Sequence, residues 1–230
     1  MTKRVLVAAL AALLLAPAAA RAASPVYGSL ELRLGGYHPD VDRGALTSPG
    51  PWETVFGGGR PLQYQLHMAK ALYRDFGTVE AGVGVGFFQA TGKGRFLDGT
   101  VSGDSTAFRM VPTSLSLTWR LDLLTDRWNV PLVPYGRVSL ERYNWWVTGG
   151  SGSTVKSGAT NGWSYGGGLG LVLDFFDQGL ARELDNDTGI NHTMAVVDVK
   201  KTVVDDFGSK TSWDLSDTSL TVSFGLLFVF

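Results

Sequence analysis

The chain has 230 residues and a formal charge of −1, from 20 basic and 21 acidic residues, with no basic cluster. That balance disfavours nucleic acid and polyanions as partners, and the absence of cysteine excludes a disulfide framework or a cysteine zinc site. Thirty glycines, and 11% aromatic against 18% charged residues, are unusual for a soluble domain, although the length suits one domain.

The first 22 residues have the three parts of a secretory signal. Lys3 and Arg4 form a positive start, VLVAALAALLLAP forms a short apolar run, and Ala20-Arg21-Ala22 fits the small-residue cleavage pattern. The apolar run is shorter than the roughly 20 residues that a bilayer-spanning helix needs. We therefore predict a signal peptide over residues 1–22 and a single exported domain over residues 23–230.

Eight segments of the exported domain alternate between apolar and small or polar residues, which is the period of a β-strand with two different faces. The first covers residues 26–34 and the last residues 218–230. The apolar faces comprise Val26, Leu30, Leu32 and Leu34; Leu62, Tyr64, Leu66, Met68 and Leu72; Val79, Ala81, Val83, Val85 and Phe87; Leu115, Leu117, Trp119, Leu121 and Leu123; Val138 and Leu140; Trp163, Tyr165, Leu169, Leu171 and Leu173; Ala195, Val197 and Val199; and Leu220, Val222, Phe224, Leu226, Phe228 and Phe230.

The pattern predicts an all-β fold, a closed antiparallel eight-stranded transmembrane β-barrel. Unpaired backbone groups are costly in hydrocarbon, so the last strand must pair with residues 26–34. An alternative with ten strands adds hairpin strands at residues 47–56 and 101–108. A second alternative is a secreted soluble β-sandwich or lipocalin-like barrel, in which Leu220, Phe224 and Phe228 lie in a core.

The connections alternate in length, which predicts the orientation of the barrel. The connections 38–60, 91–107, 148–160 and 203–216 are long, whereas 74–77 and 124–131 are short. Bacterial outer-membrane barrels have short periplasmic turns and long outer loops, so both termini are expected in the periplasm. The periplasmic connection 176–190 is longer and predicts a short helix, capped by Asp177 and ended near Gly189.

Aromatic residues occur where the strands are expected to cross the two membrane interfaces. The predicted outer girdle comprises Tyr37, Trp145, Trp146 and Trp163, and the predicted inner girdle comprises Phe76, Trp128, Phe175, Phe176 and Phe230.

Ten charged residues fall on the inward faces of the predicted strands, six acids and four bases. An isolated buried charge is very costly, and an eight-stranded barrel is just wide enough for side chains to fill. We therefore predict a salt-bridged network that plugs the lumen, with a gated polar path as the alternative. The network comprises Glu31, Arg33, Glu80, Arg120, Asp122, Arg137, Glu141, Asp174, Asp198 and Lys200.

The last strand carries a motif that resembles the C-terminal signal of Gram-negative outer-membrane barrels. In that signal a polar residue, a glycine and two aromatics recur at fixed offsets, and Ser223, Gly225, Phe228 and Phe230 occupy these positions. The resemblance implies recognition by the outer-membrane barrel assembly machinery during biogenesis. The expected surroundings are outer-membrane lipid, and the expected oligomeric state is a monomer.

Catalytic, metal and cofactor patterns are weak, so no catalytic, cofactor-binding or metal residues are predicted. His38 lies near Asp40 at the expected outer rim, where such pairs are usually solvated surface. The tract with Glu183, Asp185 and Asp187 followed by glycine resembles half a calcium loop, but it lacks the downstream bidentate glutamate.

Over essentially all of the exported domain, the chain resembles the small outer-membrane barrels of the OmpA and OmpW type. The tract ARELDNDTGINHT is also similar to one in a predicted outer-membrane barrel family of myxobacteria and their relatives, which implies no activity. The OmpW-type resemblance implies a channel for hydrophobic molecules, whereas the lumen here is charged. We predict a structural or surface-exposed barrel without catalysis. The alternatives are a small gated channel for small or hydrophobic solutes and an outer-membrane lipid-active enzyme.

Overall fold

The computed structural model describes residues 26–95 and 100–230; the predicted signal peptide, residues 1–22, lies outside them. Eight strands follow one another around the barrel. They are β1 (Gly28–Gly36), β2 (Leu62–Tyr73), β3 (Thr78–Arg95), β4 (Val101–Arg120), β5 (Leu132–Thr148), β6 (Thr154–Val172), β7 (His192–Val203) and β8 (Thr221–Val229).

The barrel is closed by antiparallel pairing of β1 with β8, as predicted. The register places Leu30 opposite Phe228 and Leu34 opposite Phe224. Backbone hydrogen bonds continue past the strand end, because the Phe230 amide donates to the Gly28 carbonyl at 3.0 Å. The closed eight-stranded fold is therefore confirmed.

The ten-strand alternative is wrong. Residues 101–108 begin β4 and pair directly with β3, so they lengthen an existing hairpin and add no further strand. The segment 47–56 contains a helix, α1 (Pro51–Phe56). Proline at the first helical position has no N–H to leave unsatisfied, which favours a helix start over a strand there.

The remaining helices lie at the barrel end that contains the turn 74–77 and Phe230, which we call the near end. They are α2 (Leu123–Trp128), a 3₁₀ turn (Leu173–Phe175) and α3 (Gln178–Thr188). Asp177 caps α3 by accepting a hydrogen bond from the Leu180 amide at 3.0 Å, and Gly189 ends it with a φ of 72°. The predicted helix is confirmed. Among the described residues, no helix is long and apolar enough to cross a membrane.

The predicted strand β4 is too long at the near end. It stops at Arg120, and Leu121 and Leu123 belong to the turn and to α2. The ladder ends where the Leu121 amide donates to the Pro134 carbonyl at 2.9 Å, and the backbone then turns because the Thr125 and Asp126 amides donate to the Asp122 carbonyl.

The strands differ in length, so the barrel is taller on one side. Strands β3 to β6 have 17 to 20 residues, whereas β1 and β8 have 9 each. Strands β3 to β6 therefore extend well past β1 and β8 at the opposite end, which we call the loop end. They are also longer than the roughly 9–11 residues that a membrane-crossing strand needs. Much of the predicted loops 91–107 and 148–160 is therefore strand.

The outward face of the barrel is apolar and exposed around its circumference. Leu117 is 48% exposed and Phe224 63%, whereas their inward neighbours Thr118 and Ser223 are buried. The soluble alternative is wrong, because Leu220 and Phe224 lie on this outer face and Phe228 is only half-buried. Contiguous exposed apolar surface of this extent is typical of contact with lipid or a partner.

The residues of the predicted inner girdle lie on the surface at the near end, whereas two residues of the predicted outer girdle do not lie on the surface. Phe76, Trp128, Phe175 and Phe176 are exposed, Phe230 is half-buried, Trp163 is exposed and Trp146 is half-buried. Tyr37 and Trp145, however, are 1% and 5% exposed. Both continue the inward parity of β1 and β5, which turns their rings into the barrel.

The junction of β1 and β8 depends on a glycine in the closing strand. A Cβ at Gly225 would lie 2.0 Å from the Leu32 carbonyl oxygen and 2.9 Å from Cγ of Arg33. We expect Gly225→Ala to destabilise the refolded barrel by about 1–3 kcal/mol, because the strands must separate to admit a methyl group. Denaturant unfolding in detergent and heat-modifiable gel migration measure the effect.

The matched control is Gly136→Ala, since the Cβ there would meet only the Gly166 carbonyl oxygen at 3.9 Å. Equal unfolding midpoints for the two variants would contradict the proposed packing constraint at the closing pair.

Candidate functional site

The middle of the lumen holds an ion-pair network centred on two neighbouring residues of β1. Arg33 binds Glu31 at 2.8 Å and reaches across to Asp198 on β7, also at 2.8 Å. Glu31 also forms an ion pair with a second arginine, Arg137 of β5, at 2.6 Å. These bonds join β1, β5 and β7 across the barrel, so the network braces opposite walls.

Further paired polar side chains lie in the lumen. Glu80 pairs with Arg120 at 2.9 Å and accepts a hydrogen bond from Ser29. Lys200 lies 3.7 Å from Glu141, whose Oε1 also accepts from Ser164. We define the charged layer as Glu31, Arg33, Glu80, Arg120, Arg137, Glu141, Asp198 and Lys200.

Two residues of the predicted network lie outside the charged layer. Asp122 is half-buried in the near-end turn and accepts a hydrogen bond from the Thr78 hydroxyl. Asp174 lies in the 3₁₀ turn, where it contacts Nδ1 of His192 at 2.7 Å and the Thr193 amide at 3.1 Å. The prediction is wrong for these two because the strands end before them.

Because Asp122 and Asp174 lie outside the charged layer, the net charge of that layer differs from the predicted one. With Asp122 and Asp174 at the near end, the charged layer contains four carboxylates and four cations. Buried charges are tolerated when each is paired and hydrogen-bonded. The layer therefore has no net charge that would need counterions or bulk water.

An aromatic layer fills the lumen at the loop end. Tyr37 packs edge-on against Phe88 with ring centroids 5.0 Å apart, and Trp52 of α1 packs edge-on against Phe108 at 5.1 Å. Trp145 stacks on Trp213 at 4.1 Å. The buried members of this layer are Tyr37, Trp52, Phe88, Ala90, Phe108, Met110, Tyr143, Trp145, Val204 and Leu215.

Polar contacts between two loops hold the aromatic layer in place. Arg60 donates to both carboxylate oxygens of Asp217, at 2.9 and 2.7 Å, and Lys201 donates to the Asp217 carbonyl at 3.0 Å. Arg43 bridges Asp40 and Asp214 at 3.5 and 2.8 Å. Desolvation, followed by the nearby Asp214 carboxylate, raises the pKa of Asp40. These bonds tie the segment after β1 to the segment before β8.

A second apolar layer lines one side of the lumen at the near end. It consists of Val133, Tyr135, Val172, Met194, Val196, Leu227 and Val229, with Val26 packed against it. The Arg137 guanidinium lies 5.8 Å from the centre of the Tyr135 ring, so the charged layer rests directly on this one. The near end of the lumen is therefore apolar on the side of β5 to β8, whereas on the side of β1 to β4 it is lined by buried polar residues, Ser29, Thr78, Glu80 and Arg120.

A small cavity lies within the charged layer. A cavity of about 30 Å³ lies beside Arg33, His67, Gly84, Arg137 and Lys200, which is room for roughly two water molecules.

The strand glycines of the lumen make space for neighbouring side chains. A Cβ at Gly82 would lie 2.6 Å from the His67 ring, and one at Gly168 would lie 2.8 Å from the Tyr135 ring. A glycine on the inner face makes room either for a neighbouring side chain or for a passage. The geometry at both positions favours packing.

The apolar layers were missed by the sequence reasoning, although a signal for them was present. The inward positions of β5 are every second residue, and their character changes along the strand. They begin with Val133 and Tyr135, continue with Arg137, Ser139 and Glu141, and end with Tyr143 and Trp145. Extending the inward parity along the whole strand would have given apolar, charged and apolar segments in the observed order.

The histidines occupy packed or hydrogen-bonded positions. His38 is 8% exposed and lies edge-on to Trp52, with ring centroids 6.1 Å apart. His67 is hydrogen-bonded to the Ser116 hydroxyl at 2.6 Å inside the lumen. Within residues 26–95 and 100–230, no group of three or more His, Asp or Glu side chains is arranged to hold a metal ion.

No protein-family model matches the chain, and no curated protein matches its sequence. Among solved structures, Ail, the attachment invasion locus protein of Yersinia pestis solved in complex with the heparin analogue sucrose octasulfate, is 13% identical. Its TM-score is 0.42, over 89% of this chain and 99% of Ail. The N-terminal β-barrel domain of Pseudomonas aeruginosa OprF is 12% identical with a TM-score of 0.41, over 90% of this chain and 100% of that domain.

Both matched structures are small outer-membrane barrels, the class that the sequence predicts. Likeness at these identities and TM-scores carries no argument about activity, and the fold of this chain follows from its own strand pairing. The resemblance to a myxobacterial family stays a prediction.

The Glu80–Arg120 pair provides a test of the charged layer, because both side chains are at most 3% exposed. We expect Glu80→Met to cost about 3–5 kcal/mol of unfolding free energy, since it leaves Arg120 without its carboxylate. The double variant Glu80→Met, Arg120→Met removes both charges and should cost less than the single one. Denaturant unfolding of refolded protein gives both values.

A double variant that is less stable than Glu80→Met would show that the cost comes from lost packing volume. That outcome would contradict the dominant role of the unpaired charge.

Proposed function

We propose that the protein is an integral outer-membrane β-barrel, monomeric, with a structural or surface-exposed role and no transport through its lumen. The observation that carries this proposal is the sequence of layers inside the barrel. The aromatic layer closes the loop end, and the charged layer next to it is neutral and paired. A hydrophobic constriction resists wetting and thereby blocks ions, so the aromatic layer in series with the paired charges favours a sealed tube.

The location is supported by the outer face of the barrel together with the predicted export signal. Exposed leucine, valine and phenylalanine side chains surround the barrel, and closed pairing leaves no sheet edge within that belt. These are the two conditions that a β-protein must meet in hydrocarbon. In the orientation we propose, the near end with both termini lies in the periplasm and the loop end faces outward.

A non-catalytic role is supported by the state of the rim histidine. His38 is packed against Trp52, and its neighbour Asp40 pairs with Arg43. A general base needs to reach its substrate proton within hydrogen-bonding distance, and a ring held under α1 is poorly placed for that.

Conductance tests the sealed lumen. Refolded protein in planar bilayers should give no single-channel steps, and Arg137→Ala and Glu141→Ala should give none either, because both apolar layers remain. A triple variant, Trp52→Ala, Tyr135→Ala and Tyr143→Ala, thins both apolar layers and serves as the comparison in which leak is expected. Steps in the unmodified protein, with an amplitude that changes in Arg137→Ala, would instead support a gated channel.

We also propose that the terminal aromatics of β8 act in recognition by the assembly machinery. Replacing Phe228 and Phe230 with Ser should lower the membrane-inserted yield in cells much more than the stability of refolded protein. Burying one phenylalanine is worth roughly 1.5–3 kcal/mol, which is a modest loss for a closed sheet. The measurements are the inserted yield and the denaturant midpoint in detergent.

The matched control is Phe224→Ser, which changes a more exposed aromatic of the same strand outside the motif. A normal cellular yield of the double variant, combined with a collapsed midpoint, would show that these aromatics are only structural.

A further inference from the structure

The outer face of the barrel carries a sharp boundary between polar and apolar residues across β4, β5 and β6. Strand pairing places Thr113, Arg142 and Asn161 side by side in one row. One step toward the near end on the same three strands, the corresponding row is Leu115, Leu140 and Trp163. A cation with polar neighbours therefore adjoins the lipid-facing belt directly.

A groove follows this boundary on the outside of the barrel. Its volume is about 520 Å³, and its lining includes Val83, Thr113, Leu115, Leu140, Arg142 and Asn161. Leu115 and Leu140 are each 60% exposed, so the floor of the groove is apolar and open to the surroundings.

Phe207 lines the same groove from the loop before β8 and is 67% exposed. Asp206 and Phe207 both have left-handed backbone angles, with φ of 56° and 58°. Such angles are uncommon for residues other than glycine, and especially for bulky ones. The Asp206 amide donates to the Asn161 carbonyl at 2.8 Å, which pins this strained segment to β6 and holds the Phe207 ring beside the groove.

The guanidinium of Arg142 is available for an anion. Its side chain donates a hydrogen bond from Nη1 to Asn161 Oδ1 at 3.0 Å. No carboxylate of the described residues forms an ion pair with it within 4.0 Å. The Asp206 carboxylate instead accepts hydrogen bonds from Asn161 and Ser212, which lower its pKa, and Arg142 adds a smaller effect in the same direction.

We propose that this groove binds one phosphorylated lipid of the outer leaflet, with the phosphate on Arg142 and an acyl chain along Val83, Leu115 and Leu140. The proposal rests on the outer-membrane location proposed above. Charge complementarity selects the occupant, because a guanidinium pairs with phosphate through two parallel hydrogen bonds. A lipid joins a charged phosphate to apolar acyl chains, which matches the change from the polar row to the apolar row on the barrel. Phe207 would then cover the side of the bound chain.

The test measures lipid adducts by native mass spectrometry on protein refolded in detergent, with lipid A as the probe. The unmodified protein should form a one-to-one adduct, and Arg142→Gln should weaken it about tenfold or more, with partial recovery in Arg142→Lys. Dephosphorylated lipid A should bind as weakly to the unmodified protein as lipid A does to Arg142→Gln. Inorganic phosphate alone should not compete at millimolar concentration, because it lacks the apolar contacts.

Arg109→Gln is the matched control. Arg109 lies on the outer face of β4 and is already bound to Gln89 and Thr148 at 3.0 and 3.3 Å, so its loss should leave lipid A binding unchanged. Leu140→Ser should weaken the adduct while leaving heat-modifiable folding intact. Equal lipid A affinity in Arg142→Gln and the unmodified protein would overturn the proposal, as would occupation of the groove by a second copy of the chain.

Insertion into lipid vesicles separates this proposal from the one on which it rests. If the refolded protein inserts but Arg142→Gln binds lipid A normally, only the lipid site is wrong. Failure of the unmodified protein to insert at all would refute the outer-membrane location itself.

Discussion

The structure depends on closing a ring of backbone hydrogen bonds. Strand β8 pairs with β1 from Ser223 to Val229, and the pairing extends through the Phe230 amide. In the membrane location proposed above, two unpaired strand edges would face hydrocarbon, where each unsatisfied backbone group costs several kcal/mol. Closure also fixes parity, because every second side chain then points into a narrow tube. The contents of the lumen and the composition of the outer face both follow from it.

Inside the tube, neutrality and packing act together. Arg33 contacts Glu31 and Asp198, and Arg137 contacts Glu31 from the opposite wall, so each carboxylate at the centre has a cation within ion-pair distance. The aromatic layer separates these bonds from bulk water at the loop end, and ion pairs are stronger where water is excluded. The same arrangement braces the barrel and supports the proposal that it is sealed. Stability and impermeability would then have a common origin.

The loop end shows how the exposed parts of a tall barrel are protected. Helix α1 lies against the extended part of β3 and contributes Trp52 to the aromatic layer, while Arg60 and Asp217 hold the two flanking loops together. Covering a sheet edge with a helix or loop is one of the ways in which proteins avoid unwanted strand pairing. On the outer wall, the loop before β8 brings Phe207 to the boundary at Arg142, so the loops contribute to the lumen and to the proposed lipid site.

Local sequence determined the strands, their faces and the cap of α3, because a period of two residues and the capping chemistry of Asp177 act over a few neighbouring positions. It also determined that Glu31, Arg33 and Asp198 point inward. Where each strand ends was decided by tertiary structure. Asp122 and Asp174 have the inward parity of their strands but fall past the strand ends, and Tyr37 and Trp145 have the same parity as the buried charges yet form an apolar layer above them. Strand ends and loop packing depend on contacts between residues far apart in sequence, such as Tyr37 with Leu215 and Trp145 with Trp213, and a local pattern carries no information about those distances.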